Sequence, residues 1–365
     1  MIANEMAATT NKGEQFANLV SDVFAVADIT VGSHGHEWVR LRGRLRVPSA
    51  EAHDIVAPRF AALGYTALFR QAGEQHVILA EPDVNRPRRY NPRVNIVLFV
   101  LTVASMIFAG FAFVAPPANW TWSGMLPGLS FAFGLLIILV AHEMSHYFVA
   151  RHFGVLISLP YFIPFPLSFF GTMGATEVMH GRPRNRRALL AVGMAGPLGG
   201  FVLALPILIL GLSLSRVQPI PSDGYFIEGN SLLYLGVKYL MFGQMLPANG
   251  IDVFIHPIAF AGWGGLLVTA LNLIPAGQLD GGHIIYALLG EKGRLLLWPI
   301  LIGLVILGIQ WWPWWLWAGM IYFLGRVYAA PCDDITPLNG GERVAAIAML
   351  MLFALIFTPV PIRFG

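Results

Sequence analysis

The sequence is poor in charge. Only 12% of its 365 residues are Asp, Glu, Lys or Arg, against about 25% in an ordinary soluble domain. With 56% hydrophobic residues and a mean hydropathy of +0.65, too little polar surface is left to clothe a water-soluble core, and a lipid bilayer is the solvent that suits such a chain. Cysteine is nearly absent: the single Cys332 excludes a disulfide framework and a cysteine-rich metal site, and reads as an unpaired loop thiol. Residues 1–28 lack a basic start followed by an apolar run, so no cleavable signal peptide is expected. The net charge of +3 is no footprint of nucleic acid, because most arginines of the apolar region lie at the ends of its hydrophobic runs.

What is present divides the chain into parts. Residues 1–29 read as a flexible N-terminal segment, a frayed helix or a disordered tail, and 30–84 as a small β-α-β-β domain. Val39, Leu41, Leu45 and Val47 alternate with Arg40, Arg42, Arg44 and Arg46, the period of a half-buried strand. Ser49 is an N-cap signal ahead of Ile55, Val56, Arg59, Phe60 and Leu63 at helical spacing, closed by Gly64. Residues 66–71 and 76–80 read as two strands about an Ala-Gly-Glu turn. The arginine stripe reads as a solvated face, with an acidic partner or lipid headgroups as the alternative. His34, His36 and Glu37 read as a polar loop, since no second ligand cluster lies near them. A basic linker, 85–93, follows.

Apolar runs near 94–115, 129–151, 188–214, 254–274, 295–310, 313–327 and 342–360 approach the roughly 20 residues that cross about 30 Å of hydrocarbon. Arg86, Arg88, Arg89 and Arg93, then Arg151, Arg182, Arg184, Arg186 and Arg187, then Lys292 and Arg294, and finally Arg326 and Arg343 fall on one side of an alternating chain. The positive-inside rule makes that side, and the N-terminal domain with it, cytoplasmic. The expectation is an all-α polytopic protein of six to seven transmembrane helices with a small N-terminal α+β cytoplasmic domain, set in a bacterial plasma membrane or an organelle membrane. Trp311, Trp312, Trp314, Trp315 and Trp317 read as an aromatic belt at the outer interface.

Two segments break this pattern. Residues 156–170 are apolar but carry Pro160, Pro164 and Pro166, which forbid a regular helix. They are expected at the inner membrane surface or as a re-entrant stretch, followed by a short strand in Gly171-Thr172-Met173-Gly174-Ala175-Thr176-Glu177-Val178. The second break runs from Ile274 to His283, where a span ends in Pro275, Gly277, Gly281 and Gly282. Non-helical backbone at membrane depth is tolerated only when buried in protein or lining a wet cavity.

The chemistry gathers in span two. His142-Glu143-Met144-Ser145-His146 is HExxH. Residues four apart share a helix face, so both imidazoles can reach one zinc ion, while Glu143 is placed to take a proton from water. Ionisable side chains are costly inside a membrane and mark function. A catalytic zinc site uses three protein ligands. The candidates for the third are Asp280, His283, His256, Glu177 and His152. Asp280 stands out, because it ends an apolar span in unwound, glycine-rich chain. Glu177 and His180 otherwise read as loop polar groups, His256 as interfacial, and His283 as an alternative ligand one helical turn from Asp280.

HExxH in one span with Asn272-x-x-Pro275-x-x-x-Leu279-Asp280-Gly281 in a later one resembles the site-2 protease family of intramembrane metalloproteases, over roughly residues 94–285; Gly196-x-x-x-Gly200 in span three resembles a further family feature and also suits close helix packing. The resemblance implies that His142, His146 and Asp280 hold Zn2+, that Glu143 is the general base, and that Asn272 lines the site. It further implies that Gly171, Thr172, Met173, Gly174, Ala175 and Thr176 pair with an extended substrate, and that single-pass regulatory membrane proteins are cut. The stretch 151–187 is too short for the PDZ domains that many bacterial members insert, so the N-terminal domain is the candidate regulator. Residues 286–365 are expected as C-terminal transmembrane helices outside the matched core. A metal-ion transporter and a catalytically silent membrane chaperone are the other classes open to these residues. The lack of an internal repeat weighs against the first and the intact Glu143 against the second.

Overall fold

The computed structural model describes residues 2–32, 38–82, 91–116, 120–221, 226–325 and 327–364. His34, His36 and Glu37, and the orientation signals Arg86, Arg88, Arg89 and Arg326, lie outside the described residues.

The N-terminal part is built from α1 (Ile2–Val20), β1 (Phe24–Val31), β2 (Val39–Leu45), α2 (Ser49–Ala61), β3 (Tyr65–Ala72) and β4 (Gln75–Pro82). The strands form one antiparallel sheet in the order β1-β2-β4-β3. The segment 1–29, expected to be flexible, is instead α1 and most of β1. Phe16, Val20, Val23 and Phe24 are buried in the same core as Val56, Phe60 and Phe69. Phe16 sets its ring edge-on to Phe60 at 4.9 Å and to Tyr65 at 5.0 Å. That apolar burial orders a segment whose own pattern is weak.

The apolar part follows as α3 (Pro92–Ala109, continued by a wider π-turn to Val114), α4 (Trp122–His152), β5 (Tyr161–Pro164), β6 (Thr172–Thr176), α5 (Arg186–Ser213), β7 (Arg216–Pro219), β8 (Phe226–Glu228), α6 (Leu232–Phe242), β9 (Ile251–Phe254), α7 (Pro257–Asn272), α8 (Asp280–Leu289), a 3-10 turn (Gly290–Leu296), α9 (Leu297–Leu307), α10 (Pro313–Leu324), α11 (Gly340–Ile356) and β10 (Ile362–Phe364). Among the described residues, three helices are long and apolar enough to cross a membrane: α3 with its extension (23 residues), α4 (31) and α5 (28). Helix α5 packs against α4, α7 and α8. Helix α7 is buried along Ala259–Leu267, a core element covered on all sides.

The expected spans 295–310 and 313–327 differ most from the structure. They fold as α9 and α10, of 11 and 12 residues, each about 17 Å long at 1.5 Å per residue and far short of a bilayer. Trp315 Nε1 of α10 donates to the Val305 carbonyl of α9 (3.0 Å), making the pair a helical hairpin. Within it Trp314 is fully buried and donates to the Pro359 carbonyl at 2.7 Å, so it is a core residue and no part of an aromatic belt.

The proline-rich stretch folds back on itself as a hairpin. β5 and β6 pair antiparallel and lie along α3: Asn95 Nδ2 donates to the carbonyls of Leu159 (2.7 Å) and Pro160 (3.0 Å), and Ser105 Oγ to that of Gly171 (2.6 Å). Ten residues on α3 separate these ties, about 15 Å of helix. Side chains thus satisfy backbone that no helix satisfies, as an apolar setting demands. At the far end Phe170 stacks on Phe260 of α7, 6.0 Å between centroids.

Residues 332–334 and the α4–α5 loop tie the two parts. Phe69 N donates to the Cys332 carbonyl (2.8 Å), Asp334 N to the Phe69 carbonyl (3.1 Å), and Asp333 N to the Arg184 carbonyl (2.8 Å). Residues 332–334 therefore bridge the edge strand β3 and the chain just ahead of α5. Asp333 is buried and accepts from Ser49 Oγ at 2.7 Å. Arg184 pairs with Asp54, Arg182 with Glu81 and Arg186 with Asp334. The basic loop between α4 and α5 and the N-terminal sheet thus share one face of the molecule.

Candidate metal centre

His142 and His146, one turn apart on α4, are both buried, as is Glu143 between them. Their Nε2 atoms stand 3.3 Å apart. The chain after α7 supplies the third group. It leaves the helix at Asn272, passes through Gly277 at φ +57°, a left-handed conformation that suits glycine, and starts α8 at Asp280. Glycines let it fold back this tightly: an added Cβ at Gly282 would meet the Ala276 carbonyl oxygen at 2.7 Å. The result aims Asp280 at α4, with Oδ2 3.2 Å from His142 Nε2 and Oδ1 3.2 Å from His146 Nε2.

These separations suit one zinc ion. Donors at about 2.0–2.1 Å from a tetrahedral metal lie roughly 3.3 Å from one another; the two Nε2 atoms stand 3.3 Å apart and each is 3.2 Å from its own oxygen of the Asp280 carboxylate. Two further features fit. His146 Nδ1 lies 2.9 Å from the Val192 carbonyl of α5; donating there leaves the Nε2 lone pair free toward the shared point, the usual outer support of a ligating histidine. Gly196 of α5 forms the floor: an added Cβ would run into His146 Nε2 and sit 2.7 Å from His142 Nε2. A side chain would fill the space a metal needs.

The other expected residues separate. Asn272 Nδ2 lies 3.3 Å from His142 Nε2, within the site. Ala175 and Thr176 line its cavity, whereas Gly171 is held against α3, where an added Cβ would meet Ser105 O at 2.6 Å. His283 is buried at the cavity wall but is not among the converging donors. His256 caps α7 by accepting from Ile258 N (3.2 Å). Trp317, expected at the outer interface, lines the cavity.

The cavity, about 660 Å³, runs from the donors past Glu143 and Asn272 to Arg182 and Ala329, beside the N-terminal sheet. Glu177, in the loop just after β6, lines it too. Its Oε1 is buried and has no hydrogen-bond partner among the described residues. Burial drives its carboxyl up to about 8. The one sequence signal was a lone acid at the end of an apolar, glycine-bearing strand. The Gly196-x-x-x-Gly200 spacing signalled a small-residue face on α5 but not that Gly196 lies against both histidines; the role of the Val192 carbonyl left no signal, because it arises from packing between helices.

An HExxH helix meeting a carboxylate at a helix start, within a bundle of long apolar helices, defines a metallopeptidase-type centre in a membrane-type fold. Comparison with known proteins agrees. Residues 130–298 match the family model of Peptidase family M50. Similar proteins include the probable zinc metalloprotease EGY2, chloroplastic, of Oryza sativa subsp. indica, 33% identical over 240 residues, covering 62% of this chain and 42% of the relative. Another is the probable zinc metalloprotease EGY1, chloroplastic, of Oryza sativa subsp. japonica, 31% identical over 299 residues, covering 73% and 50%. The chain thus spans half or less of the length of these two relatives. No solved structure matches it. Residues 130–298 thus carry the core of Peptidase family M50, the site-2 protease family, and zinc is the metal that both the donor set and the relatives' names indicate.

Proposed function

We propose that the chain is an intramembrane zinc endopeptidase that hydrolyses peptide bonds of membrane-spanning proteins. The observation that carries this is the convergence of His142, His146 and Asp280, with Glu143 beside them, at the end of a cavity inside apolar helices. His142, His146 and Asp280 would hold the zinc. When bound, zinc supplies Lewis-acid polarisation of water and of a scissile carbonyl. Glu143, on the same turn of α4, takes a proton from the attacking water and returns one to the leaving amine. The Asn272 amide donates to the carbonyl oxygen as it gains charge. The free edge of β6 near Ala175 and Thr176 takes an extended substrate segment by strand addition, which needs little side-chain specificity. It also explains how a helical substrate, whose peptide bonds are hidden, becomes cleavable.

The substrates in this reading are single-pass regulatory proteins, cut to release a cytoplasmic fragment. The N-terminal sheet is cytoplasmic: it shares a face with the arginine-rich α4–α5 loop, which the positive-inside rule keeps inside. The membrane is a bacterial plasma membrane or an organelle membrane. The test is cleavage of a tagged single-pass protein by the purified chain in detergent, set against Glu143→Gln with its zinc content measured. Cleavage by the native chain and none by a zinc-loaded Glu143→Gln supports the reading. Equal cleavage by both overturns the base assignment.

A further inference from the structure

We propose that Glu177 is the residue by which the cavity receives a basic side chain from the cytoplasmic end of a substrate span, and so sets which peptide bond comes to lie over the metal donors. This inference rests on the endopeptidase reading above.

The case starts from an incomplete set of charges. Three carboxylates line the cavity: Glu143, Glu177 and Asp280. Asp280 faces both histidines. Glu143 belongs to the same turn of α4 and to the same chemistry. Glu177 has neither partner. Its Oε1 is buried without a hydrogen bond among the described residues. Among the described residues one arginine lines the cavity, Arg182, and it is turned away to Glu81 of β4 at 2.9 Å. His146 is taken up at both nitrogens, by Val192 and by the donor cluster. Buried carboxylates are paired or protonated, and the raised affinity of Glu177 for a proton marks a place where a cation is wanting.

Position identifies the cation. Glu177 directly follows β6 (Thr172–Thr176), so a substrate segment laid along β6 carries its next residues past this carboxyl. It lies on the stretch of cavity shared with Gly181, Arg182 and Pro183, toward the face that bears the basic loop and the N-terminal sheet. Single-span proteins concentrate Lys and Arg just beyond the same end of their spans. Their long apolar stems can pass greasy walls while the charged head seeks a polar contact. A lysine or arginine there meets Glu177, and the reach of its side chain fixes how far the span is drawn in.

The test uses the full chain, zinc-loaded and in detergent, with tagged single-span substrates that differ only by Lys, Gln or Glu at successive positions on the cytoplasmic side of the cut. The native chain is expected to favour Lys over Gln by roughly tenfold in kcat/KM at one position. Glu177→Gln brings that ratio to about one, and Glu177→Lys inverts it in favour of Glu. A Lys preference that survives Glu177→Gln, or no preference at any position, overturns the proposal. A second arm needs no turnover: in a Glu143→Gln background, a photo-crosslinking residue at Met179 captures the same substrates. Stronger capture of Lys than of Gln, lost on Glu177→Gln, supports the proposal even if the native chain cleaves nothing, an outcome that would sink the endopeptidase reading alone. Equal capture of Lys and Gln overturns it.

Discussion

Replacing Gly196 with alanine adds one methyl group to the floor of the metal site, where there is no room for it. The new Cβ would sit 2.7 Å from His142 Nε2, where ordinary contact begins at 3.4 Å. The ring must retreat by about 0.7 Å, and His146, which the methyl group meets more closely still, by more. Metal–ligand distances tolerate roughly ±0.2 Å. Both imidazoles are therefore pushed several tolerances out of place, and His146 is strained against its 2.9 Å contact with Val192. Removing a single outer support typically costs 10–100-fold in metal affinity; displacing two donors should cost at least about 100-fold, near 2.7 kcal/mol. The assay is zinc content by mass spectrometry after dialysis against graded chelator, with circular dichroism to confirm retained helix. Gly200→Ala is the control. Its added Cβ meets His142 Nδ1 and Thr269 Oγ1 at 3.2 Å, a contact that small adjustments relieve, and it should keep its zinc. A folded Gly196→Ala protein that holds zinc as tightly as the native chain would refute the placement of the site.

Two further expectations concern groups outside it. Asp333→Ala leaves Ser49 Oγ and the Ile335 amide without their buried acceptor, a loss of about 2 kcal/mol that should speed hydrogen exchange of the Phe69 amide about 30-fold; unchanged exchange would show that the 332–334 tie does not hold the N-terminal sheet. Glu228 is buried and burial raises its carboxyl to about 7, so its folded form binds a proton that the unfolded chain, near 4.5, has already lost. Its stabilising effect is full below about 4.5 and fades as pH rises through 7, so the melting temperature in detergent should fall between pH 5 and 8, and Glu228→Gln should flatten that slope by an amount on the order of 1–3 kcal/mol.

The parts of the site that are visible in the sequence are those governed by local spacing. His142 and His146 are paired by the helical repeat alone, and Asp280 announces itself because a carboxylate, three glycines and a proline end an apolar run. The hairpin of α9 and α10 is different. Residues 295–325 are apolar but for Gln310, and composition cannot distinguish two crossings from two short helices that turn back. Tryptophan is equally ambiguous: Trp312 is 69% exposed and Trp314 fully buried, two residues apart in one cluster. The N-terminal segment read at most as a frayed helix, because its order depends on Phe16 finding Phe60 and Tyr65, contacts that span more than forty residues. Glu177 stood among several candidate acids for a like reason: only the fold shows that it shares a cavity with residues of α8 and α10.

Helix α5 explains why the local signals and the distant ones meet at one point. Its glycines form a stripe that two helices, α8 and α4, occupy. Gly193 lies under α8, where an added Cβ would stand 2.8 Å from His283 Cβ and 3.1 Å from the Asp280 carbonyl; Gly196 lies under both histidines; Gly199 lies under α4, 2.9 Å from the Ala141 carbonyl. The same few turns thus set the height of α4 and of α8 above a common surface, and the Val192 carbonyl between them fixes the His146 ring. Helices α4 and α8 meet at the donor atoms, and neither HExxH nor the Asp280 loop alone can set their register. It is carried by a helix that donates no ligand side chain of its own. Close helix packing and a direct part in the site, which the spacing Gly196-x-x-x-Gly200 leaves as alternatives, are here one property: the helices approach closely enough to bring one donor atom from each of the three residues within 4.8 Å of the others because nothing projects from α5 where the metal would lie.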